Sequence, residues 1–458
     1  MHRLKIFASV LLALLIPAGA AFAQVDTGDA DFTRYVAFGD SLTAGFASGA
    51  LVRTFQVNSY PALIWRQATN GAAGFEQPLI SEPGIGSIPG TGVLVLQSLV
   101  PGPSIVPTPG TGQPLNLTLD RPYNNIAVPG ADVLDLVSRT TDNGGIHDLI
   151  LRRAGFTQLQ QGLSLNPTFV TLWIGNNDVL GAATSGIVSD QTLTPVPVFE
   201  NAFRQAVAAI ASTGAEMAIA NIPDVAAIPF VTTVPRVITL PNGQPFTLFG
   251  PNGPLGAGDF VLLTASALVQ QGFGIPVAAG GRGPLPDSAV LSADEVATIR
   301  ARTQAFNTII RSEATARNAA FVDINAVFAT IATRGLNVGG VTFTTAFLTG
   351  GIFSYDGVHP NAFGYAFIAN LFIEAINEQY DAEIPLVNLF PFMFGTAAAT
   401  SSVTAGLEAE PAGIEVPFVF TDAARRSLLL SLGVPKWIVD GGQPPGRKPN
   451  RSRRGGRG

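Results

Sequence analysis

Tyr35-Val36-Ala37-Phe38-Gly39-Asp40-Ser41-Leu42-Thr43-Ala44-Gly45 is a short apolar run that stops abruptly at Gly-Asp-Ser. It reads as a buried strand whose carboxyl end delivers a hydroxyl to a turn. In open α/β sheets, ligands sit outside the carboxyl ends of the strands. A serine placed there is a nucleophile candidate, although a serine after a strand is also an ordinary helix cap.

Further apolar runs share this pattern. Asn125-Ile126-Ala127-Val128 stops at Pro129-Gly130, and Thr168–Ile174 stops at Gly175-Asn176-Asn177-Asp178. Glu216–Ala220 stops at Asn221-Ile222-Pro223-Asp224, and Ala320–Ile324 is the fifth run. Between them the spacing predicts helices over 60–67, 131–139, 148–161, 198–213 and 293–318, then 362–380 after the last run. Five apolar strands alternating with helices, with no hairpin signals among them, predict an α/β chain with a doubly wound, mainly parallel sheet. Two Pro- and Gly-rich stretches, 71–121 and 229–291, are too long for ordinary connections and read as insertions. Beyond Tyr380 the pattern is lost; 381–420 reads as loop, 422–432 as one amphipathic helix docking on the body, and 441–458 as a disordered basic tail.

Composition narrows the chemistry. The 458 residues include no cysteine, which excludes disulfides, thiolate zinc sites and a cysteine nucleophile. Only 13% are charged, while Gly numbers 50 and Pro 34, so the loops are long and ordered rather than the chain being disordered. Arg3 and Lys5 precede an apolar run from Ile6 to Ile16, and Ala21-Phe22-Ala23 is a small-x-small cleavage site. That predicts a bacterial-type signal peptide cut after Ala23 and an exported protein, periplasmic or extracellular; the alternative is an uncleaved anchor. No later stretch has the ~18 apolar residues of a membrane helix. The formal charge of −6 becomes −8 without Arg3 and Lys5, and −14 without the six basic residues that follow Gly446. An acidic body does not suit a nucleic-acid partner, whereas the basic tail suits weak contact with an anionic envelope.

A serine hydroxyl needs a base within hydrogen-bond reach, and the base needs an orienting acceptor. His2 leaves with the signal peptide, so His147 and His359 are the imidazoles of the mature chain. His359 follows Asp356 by three residues in Asp356-Gly357-Val358-His359-Pro360, a turn able to fold the carboxylate onto one ring nitrogen. The plainer reading makes Asp356 a helix cap and His359 a surface residue. His147 reads as a helix-start residue. Oxyanion donors are available at Gly130, whose N–H is approachable, at the Asn177 amide, and at the Ser41 N–H if a helix starts there.

Gly39-Asp40-Ser41-Leu42, Gly130, Gly175-Asn176-Asn177-Asp178 and Asp356-x-x-His359 fall in that order at successive strand ends. Together they resemble the SGNH (GDSL-type) serine esterases and lipases over roughly residues 32–380, less the insertions. Ser41, Gly130, Asn177 and His359 match that family's four named positions, and Asp356 its triad acid. The resemblance implies a three-layer α/β/α fold with a five-stranded, mainly parallel, flavodoxin-like sheet in one domain over 24–380, followed by a C-terminal extension over 381–440. It implies Ser41 as nucleophile, His359 as base, Asp356 as its orienter, and Ser41, Gly130 and Asn177 as the oxyanion hole. It implies an ester substrate and neither metal nor organic cofactor. Apolar insertions favour acyl esters or lipids. The competing readings are a carbohydrate acetylesterase of the same fold and a non-catalytic lipid- or glycan-binding surface protein.

Overall fold

The computed structural model describes residues 25–86, 90–98, 103–141, 144–393, 419–420, 422–431 and 434–440. The expected signal peptide, 1–23, and the expected disordered basic tail, 441–458, lie outside the described residues.

Four strands, β1 (Tyr35–Gly39), β2 (Phe169–Trp173), β3 (Glu216–Ala220) and β4 (Ala320–Val322), form one parallel sheet in the order β1-β2-β3-β4. Tyr35 pairs with Phe169, Phe169 with Glu216, and Ala320 with Ala218. The fifth expected strand, 125–128, lies along the free edge of β1 but makes a single bridge, Ala37 to Asn125. Ala37 N–H donates to the Asn124 carbonyl, and Ile126 and Val128 donate to Ala37 and Gly39. Asn124 Nδ2 takes the Tyr35 carbonyl while Asn125 Nδ2 turns to Thr43, and Pro129 then ends the run. These side-chain bonds replace a regular ladder, so the sheet has four ladder strands and one irregular edge. Counted with that edge, the spatial order is the 2-1-3-4-5 of flavodoxin-like sheets.

The helices that fix the site are α1 (Ser41–Ala44), α2 (Tyr60–Ala68), α3 (Val133–Ser138), α4 (Gln158–Leu163), α5 (Asn177–Ser185), α6 (Val196–Ala211), α7 (Ala293–Ala316), α8 (Ile324–Arg334) and α9 (Ala362–Tyr380). Strand side chains alternate between two cores. Tyr35, Ala37, Phe169, Trp173, Ala218 and Val322 pack against α2 and α9. Val36, Phe38, Val170, Leu172, Met217 and Ile219 pack against α3 to α7. Both faces are covered, which is why β1 and β2 are buried at every residue and read as continuous apolar runs. Tyr60 stacks on Phe372 at 4.5 Å between ring centroids, joining α2 to α9, and Phe199 stacks on Phe306 at 3.9 Å, joining α6 to α7. Each such pair adds roughly 0.5–1.5 kcal/mol beyond its buried area.

Two helix expectations change. The stretch 148–161 is two helices, Ile146–Leu151 and α4, because Arg152 turns left-handed at φ 47°. Its guanidinium there takes the carbonyls of Leu117, Leu119 and Arg121. The fifth run ends at Val322, not Ile324, because Asp323 accepts the Ala326 N–H and caps α8, a helix absent from the sequence expectation.

The first insertion holds an antiparallel hairpin, Thr91–Ser98 with Ser104–Pro109. Val419–Phe420 adds to it in parallel. The helix Asp422–Ser431 follows, and Ala424, Leu428, Leu429, Val434 and Ile438 share one buried cluster with Leu94 and Ile105. The expected C-terminal helix is therefore present, docked on the hairpin. Among the described residues, no helix is long and apolar enough to cross a membrane.

Candidate active site

Gly39 ends β1 where no side chain fits. A Cβ there would collide with Thr43 Oγ1 and lie 2.5 Å from the Trp173 carbonyl oxygen. The chain then turns directly into α1. Asp40 caps it, accepting the Leu42 N–H at 3.0 Å, and places Ser41 at the first helical position. Ser41 is 4% exposed.

His359 comes from the loop that leads into α9, a helix started by Asn361, whose side chain accepts the Gly364 N–H. Ser41 Oγ lies 2.9 Å from His359 Nε2, and His359 Nδ1 lies 2.9 Å from Asp356 Oδ2. Asp356 is fully buried, and its Oδ1 also accepts the N–H groups of Val358 and His359 at 2.9 and 2.8 Å. Its Oδ2 accepts the Gly49 N–H at 3.0 Å. Burial alone would raise this carboxyl; the facing imidazole and the N–H bonds outweigh it and hold the group below the usual carboxylate value. An ionised carboxylate only accepts, so Nδ1 carries the ring proton and Nε2 presents its lone pair to Ser41. The row Asp356–His359–Ser41 is poised to draw the hydroxyl proton away.

The loop bearing Gly49 is tied to the histidine loop a second time. Ser48 N–H donates to Ser354 Oγ at 2.8 Å, and Tyr355 N–H donates to Ser48 Oγ at 3.2 Å. The Phe46 ring packs on the imidazole at 5.0 Å. Tyr365 on α9 donates its hydroxyl to the Phe46 carbonyl at 2.6 Å.

Gly130 follows the irregular edge, two residues after Val128, whose N–H donates to the last carbonyl of β1 at 3.1 Å. It adopts φ 81°, which favours glycine. Asn177 opens α5 and donates Nδ2 to the Ala131 carbonyl at 2.8 Å, leaving its second amide hydrogen for another acceptor. Among the described residues, the N–H groups of Ser41 and Gly130 make no hydrogen bond. The structure thus brings Ser41, His359 and Asp356 into one hydrogen-bonded row and sets Asn177 against the residue after Gly130. His147 stands elsewhere, in the helix Ile146–Leu151, with Nδ1 3.2 Å from Asp148 Oδ1.

Three further residues of the two motifs, Asp40, Asn176 and Asp178, stand at this edge. Asp40 Oδ2 accepts Asn176 Nδ2 at 2.9 Å, and burial pushes its carboxyl up to about 6 against those bonds. Asp178 accepts the Val133 N–H at 2.9 Å; burial, and then the neighbouring Asp132, push its carboxyl well above the usual range. Gly175-Asn176-Asn177-Asp178 was the available signal, but nothing in the sequence says which wall each side chain meets. Among the described residues, no group of three or more His, Asp or Glu is placed to hold a metal ion.

Residues 35–372 match the GDSL-like lipase/acylhydrolase family. The chain belongs to that family. This GDSL-type chain is an ester hydrolase, and its substrates are esters. Among solved structures it is similar to an acetylxylan esterase from Geobacillus stearothermophilus, at 13% identity over 76% of this chain and 96% of that one, TM-score 0.36. It is similar to the extracellular lipase of Streptomyces rimosus, at 16% identity over 76% and 98%, TM-score 0.33. It is also similar to LAE5, an alpha/beta hydrolase enzyme from the metagenome of Lake Arreo, Spain, at 16% over 76% and 96%, TM-score 0.35. No curated protein matches the sequence.

Proposed function

We propose that this ester hydrolase is an exported serine carboxylesterase of acyl esters or lipids, working through an acyl-serine intermediate. The observation that carries the reading is the unbroken row from Asp356 through His359 to Ser41 Oγ. Ser41 Oγ attacks the ester carbonyl carbon while His359 Nε2 takes its proton. Asp356 holds the ring and stabilises the imidazolium. The oxyanion accepts from the Ser41 and Gly130 N–H groups and from the free hydrogen of the Asn177 amide. The carbon–oxygen bond to the leaving group breaks as Nε2 returns the proton to the departing alcohol. Water, deprotonated by the same nitrogen, then attacks the acyl carbon; the bond to Ser41 Oγ breaks as Nε2 returns the proton to Oγ, releasing the acid and restoring the serine.

The acyl-ester preference rests on the surroundings of the histidine loop. A Cβ added at Gly357 would meet Leu263 at 3.0 Å and Phe347 at 3.4 Å, and Phe230 N–H donates to the Gly357 carbonyl at 2.9 Å. Leu263 of the second insertion and Phe347, from the segment that precedes the histidine loop, thus set apolar side chains against this loop. Export rests on the charged, apolar and small-x-small succession of residues 1–23.

The test is hydrolysis of p-nitrophenyl acetate, butyrate, octanoate and palmitate by the mature chain and by Ser41→Ala. The reading predicts turnover that extends beyond acetate and is abolished in Ser41→Ala. Turnover confined to acetate selects the carbohydrate acetylesterase reading. Undiminished turnover by Ser41→Ala removes the serine mechanism.

A further inference from the structure

We propose that Asp178 is a positioning residue for the oxyanion hole: by accepting the Val133 N–H, its side chain fixes the segment 130–133 so that the Gly130 N–H faces the reacting carbonyl. The inference rests on the proposed serine mechanism and adds a residue to it.

Gly130 sits in a segment with few anchors of its own. Pro129 has no N–H, and Gly130 adopts a positive φ. Upstream, the Val128 N–H bond to Gly39 and the Ala131 N–H bond to Val128 at 3.1 Å hold the entry to the turn. Downstream, two consecutive side chains at the start of α5 grip the chain two residues apart. Asn177 Nδ2 donates to the Ala131 carbonyl at 2.8 Å, and Asp178 Oδ2 accepts the Val133 N–H at 2.9 Å. Asn176, just before them, donates to Asp40, the neighbour of Ser41. Residues 176–178 therefore connect the nucleophile's strand end to the Gly130 turn.

Among the described residues, the Val133 N–H has no substitute partner. It is the first N–H of α3, a position with no acceptor inside the helix. The residue that normally caps such a helix, Asp132, spends its side chain on the Asp135 N–H at 2.8 Å. Val133 is fully buried, so water does not replace Asp178. An unpaired N–H there would be relieved by shifting the segment toward solvent, carrying Gly130 with it.

The test removes each half of the bond separately. Asp178→Ala deletes the acceptor. Val133→Pro deletes the donor on a backbone that admits proline, since proline is favoured at the first helical position and Asp132 already has the extended backbone required before it (φ −90°, ψ −179°); the ring Cδ takes the place of the N–H and pushes the Asp178 carboxylate out of the bond. Kinetics on p-nitrophenyl butyrate are paired with inhibition by n-butylboronic acid, whose serine adduct places an oxygen where the oxyanion forms. Each variant is expected to lose on the order of 10–100-fold in kcat, with KM within about two-fold and the boronate Ki weakened in step with kcat. The double variant should be no worse than either single, and Asp178→Asn, whose amide oxygen still accepts the N–H, should stay within about three-fold of wild type.

Wild-type kcat and boronate affinity in Val133→Pro would overturn the proposal, as would multiplied losses in the double variant or an Asp178→Asn as poor as Asp178→Ala. If Asp178→Ala fails to fold, Val133→Pro and Asp178→Asn decide alone. Ser41→Ala run alongside separates the two readings: if it abolishes turnover while Val133→Pro is silent, only the positioning role is lost.

Discussion

Asp356 accepts hydrogen bonds from the N–H groups of Gly49, Val358 and His359 and from His359 Nδ1. An amide in its place could keep the Val358 and His359 N–H bonds at its oxygen but would turn a donor toward Gly49 and Nδ1. The imidazole would then flip its tautomer, and Nε2 would no longer accept from Ser41. Asp356→Asn is expected to lower kcat on the order of 10³–10⁴-fold at near-constant KM, read by steady-state kinetics. Asp40 carries a pH signature. Its folded value of about 6 lies above the ordinary 3.8, so between the two the folded state holds an extra proton. Stability then falls as pH rises through that window, and a cost of roughly 3 kcal/mol is complete above pH 6. Asp40→Asn removes the titration; with its oxygen kept on the Leu42 N–H, its amide donates to Asn176 once the Asn176 side chain turns over to present Oδ1, which has no donor among the described residues. The melting temperature of Asp40→Asn should lose the pH 4–6 slope and exceed wild type at pH 8; equal slopes in the two proteins would refute this. Ser41 and His359, 318 residues apart in sequence, were legible because a serine ended an apolar run and only two histidines follow the expected signal peptide. Gly49 was not legible, since a backbone donor bears no mark in its residue type.

At the scale of elements, strands buried on both faces announced themselves. Glu216–Ala220 and Ala362–Tyr380 have the bounds expected of them. Elements built by polar side chains did not. The edge 125–128 lost its ladder to Asn124 and Asn125, the helix at 148 broke at Arg152, and α8 starts on the cap made by Asp323. The β1–α1 junction is the most demanding of these joints. Gly39→Ala would press a methyl group on Thr43 and the Trp173 carbonyl. It is expected to cost at least the roughly 1–3 kcal/mol of over-packing and to lower kcat by displacing Ser41, measured by urea unfolding and by turnover at matched folded fraction.

At the scale of the whole molecule, the described C-terminal segments Val419–Phe420 and Asp422–Ser431 pack on the hairpin of the first insertion. Ala424, Leu428, Leu429, Val434 and Ile438 bury an apolar stripe that the hairpin alone would leave bare. Pattern reading found the helix 422–432 but not its partner, because the hairpin Thr91–Ser98 and Ser104–Pro109 lies inside a Pro- and Gly-rich stretch with little periodicity. Ending the chain at residue 393 is expected to lower the melting temperature and raise binding of the dye ANS, because the stripe's partner surface becomes exposed. Unchanged values would show that the extension contributes nothing to the fold. The central claim, that Ser41 is the activated nucleophile of this ester hydrolase, is tested most directly by reacting the folded chain with a fluorophosphonate and mapping the adduct by peptide mass spectrometry. The account predicts one adduct, on Ser41, lost in His359→Ala; folded protein that takes no label, or takes it equally on another serine, would contradict it.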